Sequence, residues 1–457
     1  MKIHQWAACG LLILLTSACA RYERGARLDD VNNAVMARTE ASLPTQFSEM
    51  SKPITSAFTP NEAMQLALKN NLNLQASLED LNVATAQEVQ AGLLINPVLS
   101  GEILFTGDGA RPVLDFGLAF QIGQWLTRGR RMKLASAERQ RIETMIVESV
   151  IGTMADAKAA TVTLWARQQS LEILRDINIA RQSAAAAAQI LYSAGNLTAG
   201  DLAKYKRMAI QSQLTLGLAQ MAMLTDVENL SNVMGVLVVG GATAMVAEAK
   251  APPIESVDAF IKTAISESLM LEAERERIRA LGIQVGLVDV SVWLDHLEVE
   301  AALEREDDTL AGFGATLSLP IFDTGNARTG AAKAAFEAAG LRYKAMAFSV
   351  ANRARATLGL QGILEAASSQ FSPQLIEQAD QEFDFDTRQM NAMQLGPLRL
   401  IDSRVQQLEN ALTAIDVRRM SVLANIQAEA LLRGVSMNII GDAQGAAFGD
   451  MQNEGGH

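Results

Sequence analysis

Four short stretches of the chain alternate apolar and polar residues with a period of two. That spacing puts successive side chains on opposite faces of a β-strand. In VLSGEILFT (98–106), Leu99, Ile103 and Phe105 share one face and Ser100, Glu102 and Thr106 the other. VLDFGLAFQI (113–122) sets Leu114, Phe116, Leu118, Phe120 and Ile122 against Asp115, Gly117, Ala119 and Gln121. HLEVEAALE (296–304) sets Leu297, Val299, Ala301 and Leu303 against His296, Glu298, Glu300 and Glu304. FGATLSL (313–319) sets Phe313, Ala315, Leu317 and Leu319 against Gly314, Thr316 and Ser318. The polar segments GDGAR and REDDTLAG between them predict turns.

Strands of this length with one greasy and one wet face suit a membrane β-barrel, apolar toward lipid and polar toward a lumen. A soluble two-sheet sandwich with a wet face fits the same alternation. The wet face is acidic, carrying Glu102, Asp115, Glu298, Glu300 and Glu304, which suits a water-filled interior. Four strands cannot close a barrel, and unpaired backbone groups at an open edge in lipid cost several kcal/mol each. The smallest closed membrane barrels have about eight strands. In a membrane, sister copies of the chain must complete this one.

The remaining pattern is helical and occurs twice. TPNEAMQLALKNNLNLQ (59–75) aligns with SVDAFIKTAISESLMLE (256–272), with Ala67 over Ala264 and Leu72 over Leu269. Thr59 and Glu62 form the S/T-x-x-E signature of a capping box. Gly129 aligns with Gly325, 196 residues on. GNLTAGDL (195–202) aligns with GPLRLIDS (396–403), pairing Gly195 with Gly396 and Asp201 with Asp402. Gly235 and Gly434 each follow a helix. Each half therefore reads helix, two strands, very long helix, glycine turn, second helix. No proline interrupts Arg128–Ala194, a stretch of about 100 Å if helical throughout. Val150, Ala157, Leu164 and Leu171 fall seven apart, as in a coiled-coil seam. AAAAA (184–188) permits close helix approach near the turn. In the second half Ser372-Pro373 predicts an N-cap with proline at N1, so that one helix ends and another begins.

Composition adds a leader. MKIHQWAACGLLILLTSAC has Lys2 as a short positive region, an apolar run over Ala7–Leu15 and small residues before Cys19, which reads as a secretory signal. LTSAC resembles a lipobox, although Thr16 stands where Leu is usual, and makes Cys19 the lipidated N-terminus. Acylation by two or more chains anchors stably. Ala20 after it, rather than Asp, allows outer membrane sorting by resemblance to bacterial lipoproteins. Cys9 leaves with the signal, so Cys19 has no internal disulfide partner. VMGVLVVGGATAMVA (233–247) is too short for a spanning helix, which needs roughly 18 residues, and reads as a buried connecting segment.

Candidate chemistry is sparse. The histidines are His4, His296 and His457, scattered through leader, strand and terminus, and no Cys/His cluster has zinc-ligand spacing. No phosphate-binding loop or nucleophile elbow occurs. The chain reads as a non-enzyme with no catalytic residues, metal site or cofactor. Met390 and Met393 could touch soft metal ions, but helix packing is their expected use. The net charge of −12 opposes nucleic-acid binding and favours cations in an acidic lumen.

FTPNEAMQLALKNNLNLQ, LLINPVLSGEI, LSLPIFDTGNAR, SAGNLTAGDL and QLGPLRLIDSRVQQLENAL resemble elements of the TolC family of bacterial outer membrane efflux proteins, over about Phe58–Gly434. The lipidated start resembles its lipoprotein members, and the Pro373 break its heavy-metal efflux relatives. The resemblance implies a mainly α fold with a membrane β-barrel portion. In a homotrimer, four strands per chain would make a twelve-stranded barrel continued by a helical coiled-coil periplasmic tunnel. The implied organisation is a signal peptide over 1–18, an anchored extension over 19–57, a first repeat over 58–235 and a connecting segment over 236–254. A second repeat over 255–434 and a tail over 435–457 follow. The implied function is the outer membrane channel of a tripartite efflux system, in contact with outer membrane lipid. An adaptor (membrane fusion) protein would dock at the tips, Gly195 and Gly396, fed by an inner membrane pump of RND type. Asp402 falls where the family can carry an aspartate of the periplasmic aperture, whereas Val405 occupies the place of the second. Asp384 and Asp386 read as solvated helix residues, Asp201 as a helix-start residue, and both tip glycines also as ordinary helix C-caps. Two other functions remain open on the sequence: a lipid-anchored helical scaffold without a pore, and a duct for type I protein secretion.

Overall fold

The computed structural model describes residues 22–44, 52–105, 112–239, 242–246, 256–294, 297–305, 309–317 and 321–439. Cys19, the leader, His296 and most of the tail lie outside them. The described elements are α1 (Leu28–Thr39), α2 (Pro60–Asn70), α3 (Leu72–Gly92), β1 (Val98–Leu104), β2 (Val113–Phe120), α4 (Ile122–Ser193) and α5 (Ala199–Met234). There follow α6 (Val257–Glu267), α7 (Leu269–Leu294), β3 (Leu297–Arg305), β4 (Thr309–Leu317), α8 (Asn326–Ala366), a π-turn (Ala367–Phe371), α9 (Ser372–Asn391) and α10 (Pro397–Leu432). The expected class, mainly helical with a small antiparallel sheet, is the one found. The described residues form two compact units, each drawing on both halves of the sequence.

The first unit comprises the described residues up to Ala34, Ala76–Val147 and Leu269–Phe348. It holds one antiparallel sheet in the order β1-β2-β3-β4, so the two hairpins join through β2 and β3. The register pairs Glu102 with Asp115 and Asp115 with Glu304. Phe116 lies across from Leu303, and Ala301 from Phe313. β1 and β4 are the free edges. The sequence placed the start of the last strand at Phe313, but β4 begins at Thr309. Its first residues invert the polarity, with Leu310 opposite Glu304 and Ala311 opposite Leu303, so period two fails there and the segment imitates a turn. β2 ends at Phe120 and α4 begins at Ile122. Helix thus starts earlier than the Arg128 suggested by composition. Below the strands, Arg139 pairs with Glu88 of α3 and Glu143 of α4, and Arg128 Nε donates to the Gly92 carbonyl at the end of α3.

The second unit comprises Val35–Gln75, Glu148–Ser268 and the described residues from Ser349 on. Val150, Ala157, Leu164 and Leu171 of the predicted seam are all buried. Thr59 and Glu62 complete the capping box in both directions, and Ser256 caps α6 in the second half. The described residues of the connecting segment, 236–239 and 242–246, are not helical. Ile54 and Phe58 form isolated parallel bridges to Val238 and Ala244, and Val236, Val238, Ala242 and Ala244 join a core with Phe58, Leu164, Leu230 and Met234. The second-half core gathers Phe260, Ala264, Val350, Ala354, Ala428 and Leu431.

The predicted helix break at Pro373 does not occur. Ser372 is helical (φ −63, ψ −44) instead of an extended cap, and its hydroxyl donates to the Ala367 carbonyl at 2.9 Å. Proline lacks an N–H and its ring crowds the carbonyl four residues back. One wider turn, Ala367–Phe371, absorbs both defects without interrupting the helix.

Candidate functional site

Two places carry chemistry that packing alone does not explain: the faces of the sheet and the helix-hairpin tips. On the sheet, the register puts all five predicted acids on one side. Glu102, Asp115 and Glu304 form a row across three strands, while Glu300 opposes Ala119 and Glu298 opposes Thr316. Like charges directly opposite each other on neighbouring strands destabilise a sheet, so folding alone does not favour this row. The other face bears Leu99, Ile103, Phe116, Leu303, Phe313 and Leu317, all exposed in the single chain. No helix among the described residues is long and apolar enough to cross a membrane.

At the first tip, α4 ends and Gly195 adopts φ +77. The Gly195 N–H donates to the Tyr192 carbonyl and the Asn196 N–H to Leu191, each at 2.9 Å, the bonds of a Schellman cap. Thr198 is the N-cap of α5, accepting from the Asp201 N–H. At the second tip the left-handed position belongs to Met393, at φ +59. Its N–H donates to Met390 and that of Gln394 to Gln389. Gly396 is extended (φ −78, ψ 154) and is the N-cap of α10, with Pro397 following. The C-cap reading therefore holds for Gly195 and fails for Gly396. Conformation pairs Gly195 with Met393 and Thr198 with Gly396, so Asp201 and Asp402 are not counterparts. The expected packing of Met393 is also absent, since it is 94% exposed in the chain.

Asp402 lies in α10, within reach of α4 and α5. Its Oδ1 accepts from Arg181 Nη1 of α4 at 2.8 Å. Its Oδ2 accepts from the Tyr205 hydroxyl of α5 at 3.1 Å. Arg181 also approaches Glu409, 3.6 Å away. Burial, and then the charge of Asp402, raise the Tyr205 pKa above the usual phenol value, so the phenol remains a donor throughout the neutral range. Ala184, Ala188, Leu202 and Leu398 pack around it. One carboxylate thus ties three helices together through a charge-assisted pair and a phenol.

Sequence reasoning missed Arg181 and Tyr205 altogether, as they stand 221 and 197 residues from Asp402. Asp386, expected in solvent, is buried, with Arg399 Nε 3.7 Å away; Asp384 is exposed. Arg399 also meets Glu382, and Gln407 donates to Asp380, so polar groups stitch α9 to α10. Val405 is fully buried with Ile177 and Leu408. Among the described residues no cluster of His, Cys, Asp and Glu could hold a metal ion.

No protein-family model matches the sequence, and no curated protein matches it. Solved structures match its fold. CusC, a protein studied for folding and transmembrane channel formation, is 14% identical, with 86% of this chain and 97% of that one covered at a TM-score of 0.66. The CmeC outer membrane channel of Campylobacter jejuni is 14% identical, covering 84% and 88% at 0.67. The outer membrane protein VceC of Vibrio cholerae is 15% identical, covering 83% and 97% at 0.65. Over most of its length, this chain has the fold of TolC-type outer membrane channels.

Proposed function

We propose that the chain is the outer membrane channel of a tripartite efflux system, anchored at Cys19 and working as a homotrimer with a twelve-stranded barrel. The observation that carries this reading is the sheet: two free edges, one acidic face and one exposed apolar face. A sheet with free edges is not stable in lipid, and its apolar face is not stable in water. Sister chains pairing β4 with β1 resolve the first difficulty, and a bilayer the second. A stripe along α5, formed by Ile210, Leu214, Leu218, Met221 and Leu224, is likewise exposed in the single chain and suits a helix of a sister chain. The fold shared with the CmeC outer membrane channel supports the same reading.

In this reading the acidic face lines the lumen and biases passage toward cations, while no residue does chemistry. The link at Asp402 helps to hold the tips closed. An adaptor engaging the tips would shift the balance toward an open state, and an inner membrane pump of RND type would supply the energy.

The test is the pair Phe116→Asp and Leu118→Asp, with planar-bilayer conductance and oligomeric state as readouts. The channel reading expects cation-preferring pores from the wild-type trimer and loss of insertion in both variants. A wild type that folds yet remains monomeric and electrically silent, with both variants unaffected, supports the pore-free scaffold and ends the channel reading.

A further inference from the structure

The two strand-to-helix junctions differ in charge although they repeat in sequence. Thr127–Lys133 carries Arg128, Arg130, Arg131 and Lys133 with no acid among them. None of the four lies within ion-pair distance of a carboxylate among the described residues, and the nearby acids are already engaged. Glu88 takes Arg139, Glu138 takes Arg141, and Asp323 takes Arg328, while Asp289 accepts from the Thr329 hydroxyl. Three of the cations donate to backbone carbonyls, Arg128 to Gly92, Arg131 to Gln124 and Arg130, through Nη1, to Gly286 at 3.2 Å. Arg130 and Lys133 are nonetheless exposed, the guanidinium keeping its other N–H groups beyond the one on Gly286, and both follow the exposed Leu126 at helical spacing on one face of α4.

Their height along the helix matters. β2 ends at Phe120, whose ring meets Trp125 edge-on with centroids 5.8 Å apart, an aromatic pair of the kind found at membrane–water interfaces. Counting from Leu126, Arg130 lies about 6 Å and Lys133 about 10 Å further along the helix. The headgroup layer on one side of a bilayer is about 6 Å thick, and long basic side chains reach back toward it. At the 196-residue offset the second junction has Phe322, Asn326 and Thr329 in place of Leu126, Arg130 and Lys133. An exposed apolar residue is kept there and both cations are absent.

We propose that Arg130 and Lys133 form a site for the phosphate of an anionic phospholipid in the periplasmic leaflet, present only at the first junction. This rests on the reading of the sheet as a membrane barrel. The site holds the lipid's phosphate between a guanidinium and an ammonium while its acyl chains run along Leu126 toward the strands. Clustered Lys and Arg at a membrane surface attract anionic lipid, each contributing about fivefold in binding.

The experiment uses the full-length protein reconstituted in phosphatidylcholine vesicles that contain brominated phosphatidylglycerol or, separately, brominated phosphatidylcholine. Quenching of tryptophan fluorescence reports which lipid sits beside the junction. The wild type should be quenched several-fold more effectively by the anionic lipid, with the preference fading at high salt as screening shortens. Arg130→Gln with Lys133→Gln should erase the preference, whereas Arg130→Lys with Lys133→Arg should retain it and show that charge, not folding, is read. Equal quenching by the two lipids in a wild type that forms pores overturns the site and leaves the channel reading standing. An absence of quenching by either lipid, with no conductance, overturns the channel reading itself and the site with it.

Discussion

The two repeats agree where backbone meets backbone and part where side chains face other things. In the first, a Cβ on Gly235 (φ +66) would lie 2.3 Å from the Asn70 carbonyl oxygen. In the second, a Cβ on Gly434 (φ +94) would lie 2.2 Å from that of Glu267. The same helix-end carbonyl is packed on the same glycine twice, 197 to 199 residues apart, because neither conformation nor space admits another residue. The N-terminal segment then breaks the symmetry. Arg38 donates to the Glu267 carbonyl and pairs with its carboxylate, and lies 3.4 Å from the Arg433 carbonyl, whereas the corresponding place in the first repeat is served by Asn71 Nδ2 on Val233. The long helices diverge too, with α4 running straight through where α8 and α9 meet in a π-turn. A duplicated chain thus keeps its joints and varies its tips.

The largest effect should come from breaking those joints. Gly235→Ala and Gly434→Ala each combine left-handed strain with a clash against immovable backbone, and should each cost about 3 kcal/mol or more. Gly152→Ala, in the middle of α4 with open space around its Cα, should instead be neutral or stabilise by up to about 1 kcal/mol. Thermal unfolding of the three variants decides the matter. A tolerant Gly434→Ala beside an intolerant Gly235→Ala would mean that Arg38 lets the second joint adjust and that the joints are not equivalent.

Much of this was legible in the chain because local rules are periodic. The coiled-coil seam through Val150 and Leu171 and the capping box at Thr59 follow from spacing alone. The strand faces were legible wherever period two held, and were lost at Leu310 where it did not. Pro373 misled because the local rule for proline knows nothing of the π-turn that accommodates it. Gly396 misled because a glycine after a helix suggests a C-cap, while Met393, three residues earlier, had already turned the chain. The partners of Asp402 were out of reach for another reason. Arg181 and Tyr205 belong to the other repeat, and no local pattern pairs residues about 200 positions apart. Asp386 was misjudged for a similar cause, since it is buried in a hairpin where Arg399 of the facing helix lies 3.7 Å away.

An intermediate effect should separate the two tip aspartates. Asp201 stays within its own helix turn, where its carboxylate accepts from the Thr198 hydroxyl at 2.6 Å. Asp402 reaches across to two helices. Asp201→Asn should therefore change stability by less than about 0.5 kcal/mol. Asp402→Asn removes a charge-assisted bond worth about 2 kcal/mol, which corresponds to roughly thirtyfold in the population of any state that lacks the link. Basal conductance of reconstituted wild type, Asp201→Asn and Asp402→Asn, measured without other proteins, reads this directly. Equal conductance in all three would show that the Arg181–Asp402–Tyr205 link fastens helices without governing the opening.

The smallest effect concerns the left-handed residue at each tip, where the repeats use different amino acids for one backbone geometry. Glycine adopts φ near +60 at no steric cost, and a residue with a Cβ does so at about 1 kcal/mol. Gly195 therefore holds the first tip without strain, while Met393 holds the second against it. Among the described residues nothing compensates through the methionine side chain, which is almost fully exposed. Met393→Gly should stabilise the second tip by somewhat under about 1 kcal/mol, because the greater freedom of glycine in the unfolded chain returns part of the gain. Gly195→Ala should weaken the first tip by about the same amount. Hydrogen exchange of the Gln394 and Asn196 amides, which close the two turns on Gln389 and Leu191, measures each locally. Slower exchange at Gln394 in Met393→Gly, matched by faster exchange at Asn196 in Gly195→Ala, is the expected pair. Faster exchange at Gln394 would mean that the methionine makes a stabilising contact at the tip in solution and that its backbone strain is offset there.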